Sequence, residues 1–271
     1  MPLTRHLMCS PDHFAVAYVI NPWMEGNVHD TLSCVAMQQW SSLHAIVSQF
    51  TEVALLPPVP GLPDLVFTAN AAVLRGRTAI LSSFLHPERQ AEEPSFRSWL
   101  AEDGFEVHEL PRSVPFEGAG DALFDRALPL LWFGHGVRSR SDALPYLERL
   151  LGTAVQPLEL ARSHFYHLDT CFCPLEGGFL LYYPLAFESE SLQAIEAIVP
   201  SDQRLAVSPQ DAFDFACNAI NIGPHVILNQ ASERLCDWLG ERGFIVHRTP
   251  TTEFLKAGGS AKCLSLSLSE N

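Results

Sequence analysis

The apolar residues of this chain fall into short runs that come in pairs. The segments NAAVLRGRTAILSSF (70–84), DALFDRALPLLWFG (121–134), TCFCPLEGGFLLYYP (170–184) and NAINIGPHVILNQ (218–230) each read as an apolar run, a turn and a second apolar run, the pattern of a β-hairpin. With Gly76, Arg126, Gly177 and Gly223 as turn markers, the pattern recurs about every 50 residues, a period typical of repeat architectures. Between the hairpins, residues 30–50, 88–102, 141–151, 188–198 and 231–242 carry apolar positions at helical spacing. Each helix is followed by one more short strand: EVALLP, FEVHELP, AVQPLEL, RLAVS and FIVHRTP. The repeating unit is therefore strand, strand, helix, strand.

The two ends complete the count. The run CLSLSLS (263–269) lacks a partner strand and HFAVAYVIN (13–21) lacks a predecessor, so pairing them makes a fifth module and closes a ring. The expected architecture is α/β, a five-bladed pseudo-symmetric propeller forming a single domain over 1–271. In CLSLSLS, alternation puts Leu264, Leu266 and Leu268 on one face and Cys263, Ser265 and Ser267 on the other. Lys262 then points away from Cys263 and reads as structural. Gly258 and Gly259, just upstream, allow backbone angles and close approaches that other residues resist.

A ring of this kind brings equivalent hairpin starts together near its axis. Those starts are Asn70, Asp121, Asp169, Asn218 and Cys263, with Glu117 and His167 just upstream of two of them. Carboxylates, amides, an imidazole and a thiol at equivalent points form one candidate site. The net charge of −14, with 17 Lys and Arg, argues against nucleic acid, whose phosphates require a basic face, and suits a small cationic substrate. No run of 18 apolar residues predicts a membrane span. Without an apolar leader at the start, the seven cysteines read as reduced thiols in a soluble, cytoplasmic protein.

The motifs FTAN (67–70), FEGAGD (116–121), GHGVRS (134–139), HLD (167–169) and GGSAKC (258–263) occur in this order along the chain. The ordered set resembles the guanidino-modifying enzymes of the pentein fold, which include arginine deiminases, dimethylarginine dimethylaminohydrolases and amidinotransferases. INPWM (20–24) and FTAN, where deiminases have FTRD, are most similar to the arginine dihydrolase branch, which takes arginine to ornithine. The resemblance implies a cofactor-free hydrolase. The chemistry of the residues agrees: a planar, donor-rich guanidinium is matched by acceptors such as Glu117 and Asp169, and a thiolate from Cys263 can attack its carbon while His167 serves first as acid and then as base. The resemblance further implies that Arg138 grips the substrate carboxylate with help from Arg89, and that Asn70 and Asn21 present amides to the substrate. Asp64 contacts the substrate backbone or caps a turn, and Asp121 touches substrate or orients its loop. His167 and Asp169, two apart, are expected on one strand face.

Other readings are open to the sequence. His164, His167, Cys171 and Cys173 in HFYHLDTCFC suggest a metal, but the second ligand pair of a structural zinc site is missing, so no metal is expected. An amidinotransferase would pass the amidino group to an amine, and a deiminase or dimethylarginine dimethylaminohydrolase would stop at citrulline. A non-enzymatic binding module of the same fold would have no reason to collect the thiol, imidazole and carboxylates. Apolar positions on the helices leave room for a homo-oligomer.

Overall fold

In the computed structural model, which describes residues 5–269, the repeat is realised as five three-stranded sheets around a common axis. The hairpins Ala72–Arg75 with Thr78–Leu81, Ala122–Phe124 with Leu130–His135, Phe172–Leu175 with Phe179–Tyr182, and Ile220–Ile222 with His225–Leu228 are antiparallel. The second strand of each then pairs in parallel with the strand that follows its helix, namely Glu106–His108, Ala154–Glu159, Arg204–Ala206 and Ile245–Arg248. A parallel partner requires a long crossover, and each helix supplies it.

The fifth module corrects the expectation for the chain ends. Leu266–Ser267 pairs antiparallel with Arg5–Cys9, which in turn pairs in parallel with Glu52–Leu56. Residues 13–21 are an irregular loop, because their polar groups find partners over the centre of the ring: the Tyr18 hydroxyl donates to Asp64 and the Ile20 carbonyl accepts from Arg138. Nor is CLSLSLS one long strand. Residues 261–264 form a turn, with Leu264 N–H donating to the Ser260 carbonyl, so the strict alternation of faces holds only beyond it.

The helices lie near their expected places with tighter bounds. Ser33–Val47 buries Ala36, Trp40, Leu43 and Val47, one face at helical spacing. Glu93–Glu102, Leu144–Leu151, Ser189–Ile198 and Glu233–Gly240 each bury an i, i+4 pair, for example Phe96 with Leu100 and Leu147 with Leu151. The expected 88–102 helix is broken in two, with Pro87–Gln90 separate. Two short helices, Pro209–Phe213 and Thr252–Leu255, carry no strong pattern in the sequence. No helix among the described residues is long and apolar enough to cross a membrane.

Just before the inner strands, the chain makes tight buried turns: Thr68–Asn70, Gly118–Gly120 and Leu168–Thr170. These turns stitch the modules together. Ala69 N–H donates to the Cys263 carbonyl at 3.1 Å, Lys262 N–H to the Asn218 carbonyl at 3.2 Å, the Asn218 amide to the Asp169 carbonyl at 3.1 Å, and Leu168 N–H to Asp121 at 3.0 Å. The equivalent hairpin starts do converge.

Candidate active site

Two clusters of polar side chains lie at the axis, and Arg138 of one and Cys263 of the other line the same cleft. In the first, Glu117 Oε2 accepts from His167 Nε2 at 2.7 Å and from Arg138 Nη1 at 3.0 Å. Burial alone would raise the carboxyl's pKa, but the Arg138 charge and the His167 hydrogen bond outweigh it and hold Glu117 well below the usual carboxylate range. Arg138 also donates to the Ile20 carbonyl at 3.0 Å and stacks 4.7 Å from the Tyr166 ring centre. His167 precedes a 3-10 turn that contains Asp169, so the two residues do not share a strand face; the turn carries them to different partners.

The second cluster surrounds Cys263. Its thiol lies 3.4 Å from Asp169 Oδ2, and Asn218 brackets the residue, donating to Sγ at 3.1 Å and accepting the Cys263 N–H at 3.1 Å. Burial, followed by the Asp169 charge, pushes the thiol well above its ordinary value. Burial likewise pushes Asp169 up to about 7, against the opposing pulls of Lys262 and the Cys263 and Asn218 hydrogen bonds. Asp169 Oδ1 has no partner among the described residues. Lys262 lines a separate axial cavity with Asp169 while Cys263 lines the cleft on the other side. They face apart as expected, through the turn and not through strand alternation.

A narrow cleft opens onto Cys263, lined also by Asn21, Asp64, Asn70, Arg89 and Arg138. The Gly-Gly pair shapes its wall: a Cβ on Gly259 would collide with the Phe67 ring, and one on Gly258 (φ 83°) would press to 2.9 Å on Tyr166. Tyr166 in turn donates to the Gly258 carbonyl at 2.7 Å. Asp64 accepts from the Tyr18 hydroxyl through Oδ2, leaving Oδ1 buried and without a partner among the described residues.

Two expected binding residues also hold the structure around the cleft. Asn21 Oδ1 caps the following turn, accepting from Trp23 and Met24 N–H, and its Nδ2 donates to the Ala257 carbonyl, so it shapes the cleft edge. Asp121 does not line the cleft; it bridges the Ser139 hydroxyl at 2.6 Å and the Leu168 N–H at 3.0 Å, tying the Arg138 loop to the His167 turn. The residues of HFYHLDTCFC disperse. His164 packs on Trp23 and Phe213, and Cys171 and Cys173 contact backbone carbonyls. Tyr166, Glu92 and Asn218 went unassigned by the sequence. Asn218 alone carried a signal, its place among the hairpin starts.

Such an arrangement gathers around one cleft a thiol beside a carboxylate and an imidazole beside a second carboxylate, the groups that covalent chemistry at a guanidino carbon requires. The fold is that of the pentein superfamily. The chain belongs to the dimethylarginine dimethylhydrolase family: residues 19–268 match the family described as N,N dimethylarginine dimethylhydrolase, eukaryotic. It is 53% identical over 266 residues to a bifunctional arginine dihydrolase/ornithine cyclodeaminase, ArgZ, of Synechocystis sp., covering 98% of this chain and 38% of that protein. The chain thus spans under two-fifths of that relative's length. It is 36% identical over 267 residues to the N(G),N(G)-dimethylarginine dimethylaminohydrolase of Mycobacterium tuberculosis, covering 97% of this chain and 85% of that one. A crystal structure of the N-terminal domain of ArgZ, a cysteine-to-serine mutant bound to substrate and described as an arginine dihydrolase, superposes with a TM-score of 0.98 at 52% identity, covering 98% of each chain.

Proposed function

We propose that this chain hydrolyses L-arginine to ornithine, ammonia and carbon dioxide through a covalent thiouronium on Cys263. The observation that carries the reading is the Cys263 thiol held between Asp169 and Asn218 on a cleft that Arg138 also lines, with Arg138 paired to Glu117 and Glu117 to His167 behind it. The ArgZ domain of matching length, described as an arginine dihydrolase, supports arginine as the substrate.

The resting cleft already contains a guanidinium on Glu117, that of Arg138. An arginine substrate carries both charges needed to exchange with this pair: its guanidinium replaces Arg138 on Glu117 and its carboxylate takes up the released Arg138. The unpartnered oxygen of Asp64 suits the α-ammonium group, and that of Asp169 the far side of the guanidinium. The incoming cation also offsets the burial that keeps the Cys263 thiol protonated. The thiol proton passes to His167, the thiolate adds to the guanidino carbon, and the imidazolium returns the proton to the amino group that leaves as ammonia; a water deprotonated by His167 then displaces sulfur to leave citrulline.

Asn70 governs the fate of that citrulline. Deiminases have aspartate at this point; its lone pairs oppose a ureido oxygen, whereas an asparagine NH2 donates to it. Citrulline retained in this way is attacked again by Cys263, a second ammonia leaves, and water releases a carbamate that decomposes to ornithine and carbon dioxide. Two waters enter and two ammonias, one ornithine and one carbon dioxide leave. The test is the stoichiometry of products: two ammonia and one ornithine per arginine are expected, and agmatine, without a carboxylate for Arg138, should turn over poorly. One ammonia with citrulline would instead make it a deiminase, and dimethylamine from dimethylarginine would favour the second activity represented in its family.

A further inference from the structure

We propose that Glu92 and Arg89 form a positioning pair that locks the Asn70 side-chain amide with its NH2 toward the reaction centre, and that this lock keeps the ureido intermediate in place. The inference rests on the dihydrolase reading above. Arg89 is 3% exposed and has little freedom to move. Its Nε and Nη2 hold the two oxygens of Glu92 at 2.9 and 2.7 Å, Nη2 also donates to the Asp64 carbonyl at 3.3 Å, and the guanidinium lies 4.4 Å from the Phe84 ring centre. Its Nη1 meets the Asn70 amide at 2.9 Å.

A guanidinium carries only donors, so the Asn70 atom it meets must be the oxygen. The amide NH2 is therefore turned the other way, to within 3.5 Å of His167 Nδ1. The packing leaves room for this arrangement, since a Cβ on Gly120 would collide with Asn70 Nδ2 and stand 3.1 Å from His167 Nδ1. The direction of donation then runs without reversal from Arg89 through Asn70 to His167, placing the proton of a neutral imidazole on Nε2, which faces Glu117 at 2.7 Å. Asn70 borders the cleft with Cys263, and the neighbouring Ala69 N–H is bonded to the Cys263 carbonyl.

The two faces of an asparagine amide have nearly the same shape and opposite hydrogen-bonding character. Turned over, Asn70 would present lone pairs to a ureido oxygen, as an aspartate does. The residue type alone does not guarantee a donor; the Arg89 fork does, and Glu92 holds the fork.

Arg89→Lys and Glu92→Gln, with Asn70→Asp for reference, test this through the ratio of ornithine to citrulline formed from arginine and through KM. Arg89→Lys should lower the ratio at least tenfold, toward that of Asn70→Asp, and slow turnover of supplied citrulline by a similar factor. Glu92→Gln, which keeps the guanidinium, should lower it less and serves if Arg89→Lys does not fold. A raised KM with an unchanged ratio in both variants would overturn the proposal and leave the dihydrolase reading standing. Citrulline as the sole product of the unmodified chain would overturn both.

Discussion

Glu117 and Asp169 are both fully buried carboxylates at the axis in neighbouring modules, yet their surroundings drive them to opposite states. Glu117 shares its proton-accepting oxygen with Arg138 and His167 and stays ionised to low pH. Asp169 has a thiol and an amide for neighbours, with Lys262 beyond salt-bridge reach, and is pushed up to about 7. Burial is common to both; the supply of cations and donors decides between them. The axis thus holds one firmly anionic carboxylate and one that keeps its proton up to about 7.

The largest effect should come from the thiol that separates the two sides. Cys263→Ser should reduce turnover on the order of 10⁴-fold or more, with no covalent adduct to substrate in intact-mass spectra, while the other cysteines tolerate replacement. Near-normal turnover in Cys263→Ser would break the assignment.

Glu117→Gln should cost about 3–5 kcal/mol of stability in urea unfolding at pH 7, because it leaves the buried Arg138 charge without its anion. Since Glu117 has a depressed pKa in the fold, its stabilisation is complete above the unfolded value of 4.5 and is lost only as pH falls well below it. An unchanged midpoint would show that the Arg138 pair contributes nothing net.

Asp169→Asn should act in the opposite sense on stability. The folded state keeps a proton on Asp169 between the unfolded value of 3.8 and about 7, so ionisation costs stability as pH rises through that window. The variant should melt above the unmodified protein at pH 8, with the difference gone below pH 4. Removing the neighbouring anion should also make the free Cys263 react faster with iodoacetamide at pH 7.5, while turnover drops about 10²-fold. Slower labelling would mean that Asp169 activates the resting thiol.

The sequence by itself determined the architecture and most of the cast. Hydrophobic alternation interrupted by turns at a steady interval dictates strand, strand, helix, strand, because each apolar face must find a cover and each parallel strand needs a crossover. The same interval places Asn70, Asp169, Asn218 and Cys263 at one axis. What it could not determine are the partners, since these join residues up to about a hundred positions apart: Glu117 to His167, Asp169 to Cys263, Tyr18 to Asp64. The 13–21 segment has strand-like alternation but no free edge to pair with, because Arg5–Cys9 holds that place between Glu52–Leu56 and Leu266–Ser267. The loop therefore spends its polar groups over the cleft. Only the tertiary structure decided that Asn21 caps a turn, that Asp121 ties two loops and that Arg89 faces inward on Asn70. A polar side chain's role is set by whichever donor or acceptor packing leaves within about 3 Å of it, and local sequence does not carry that information.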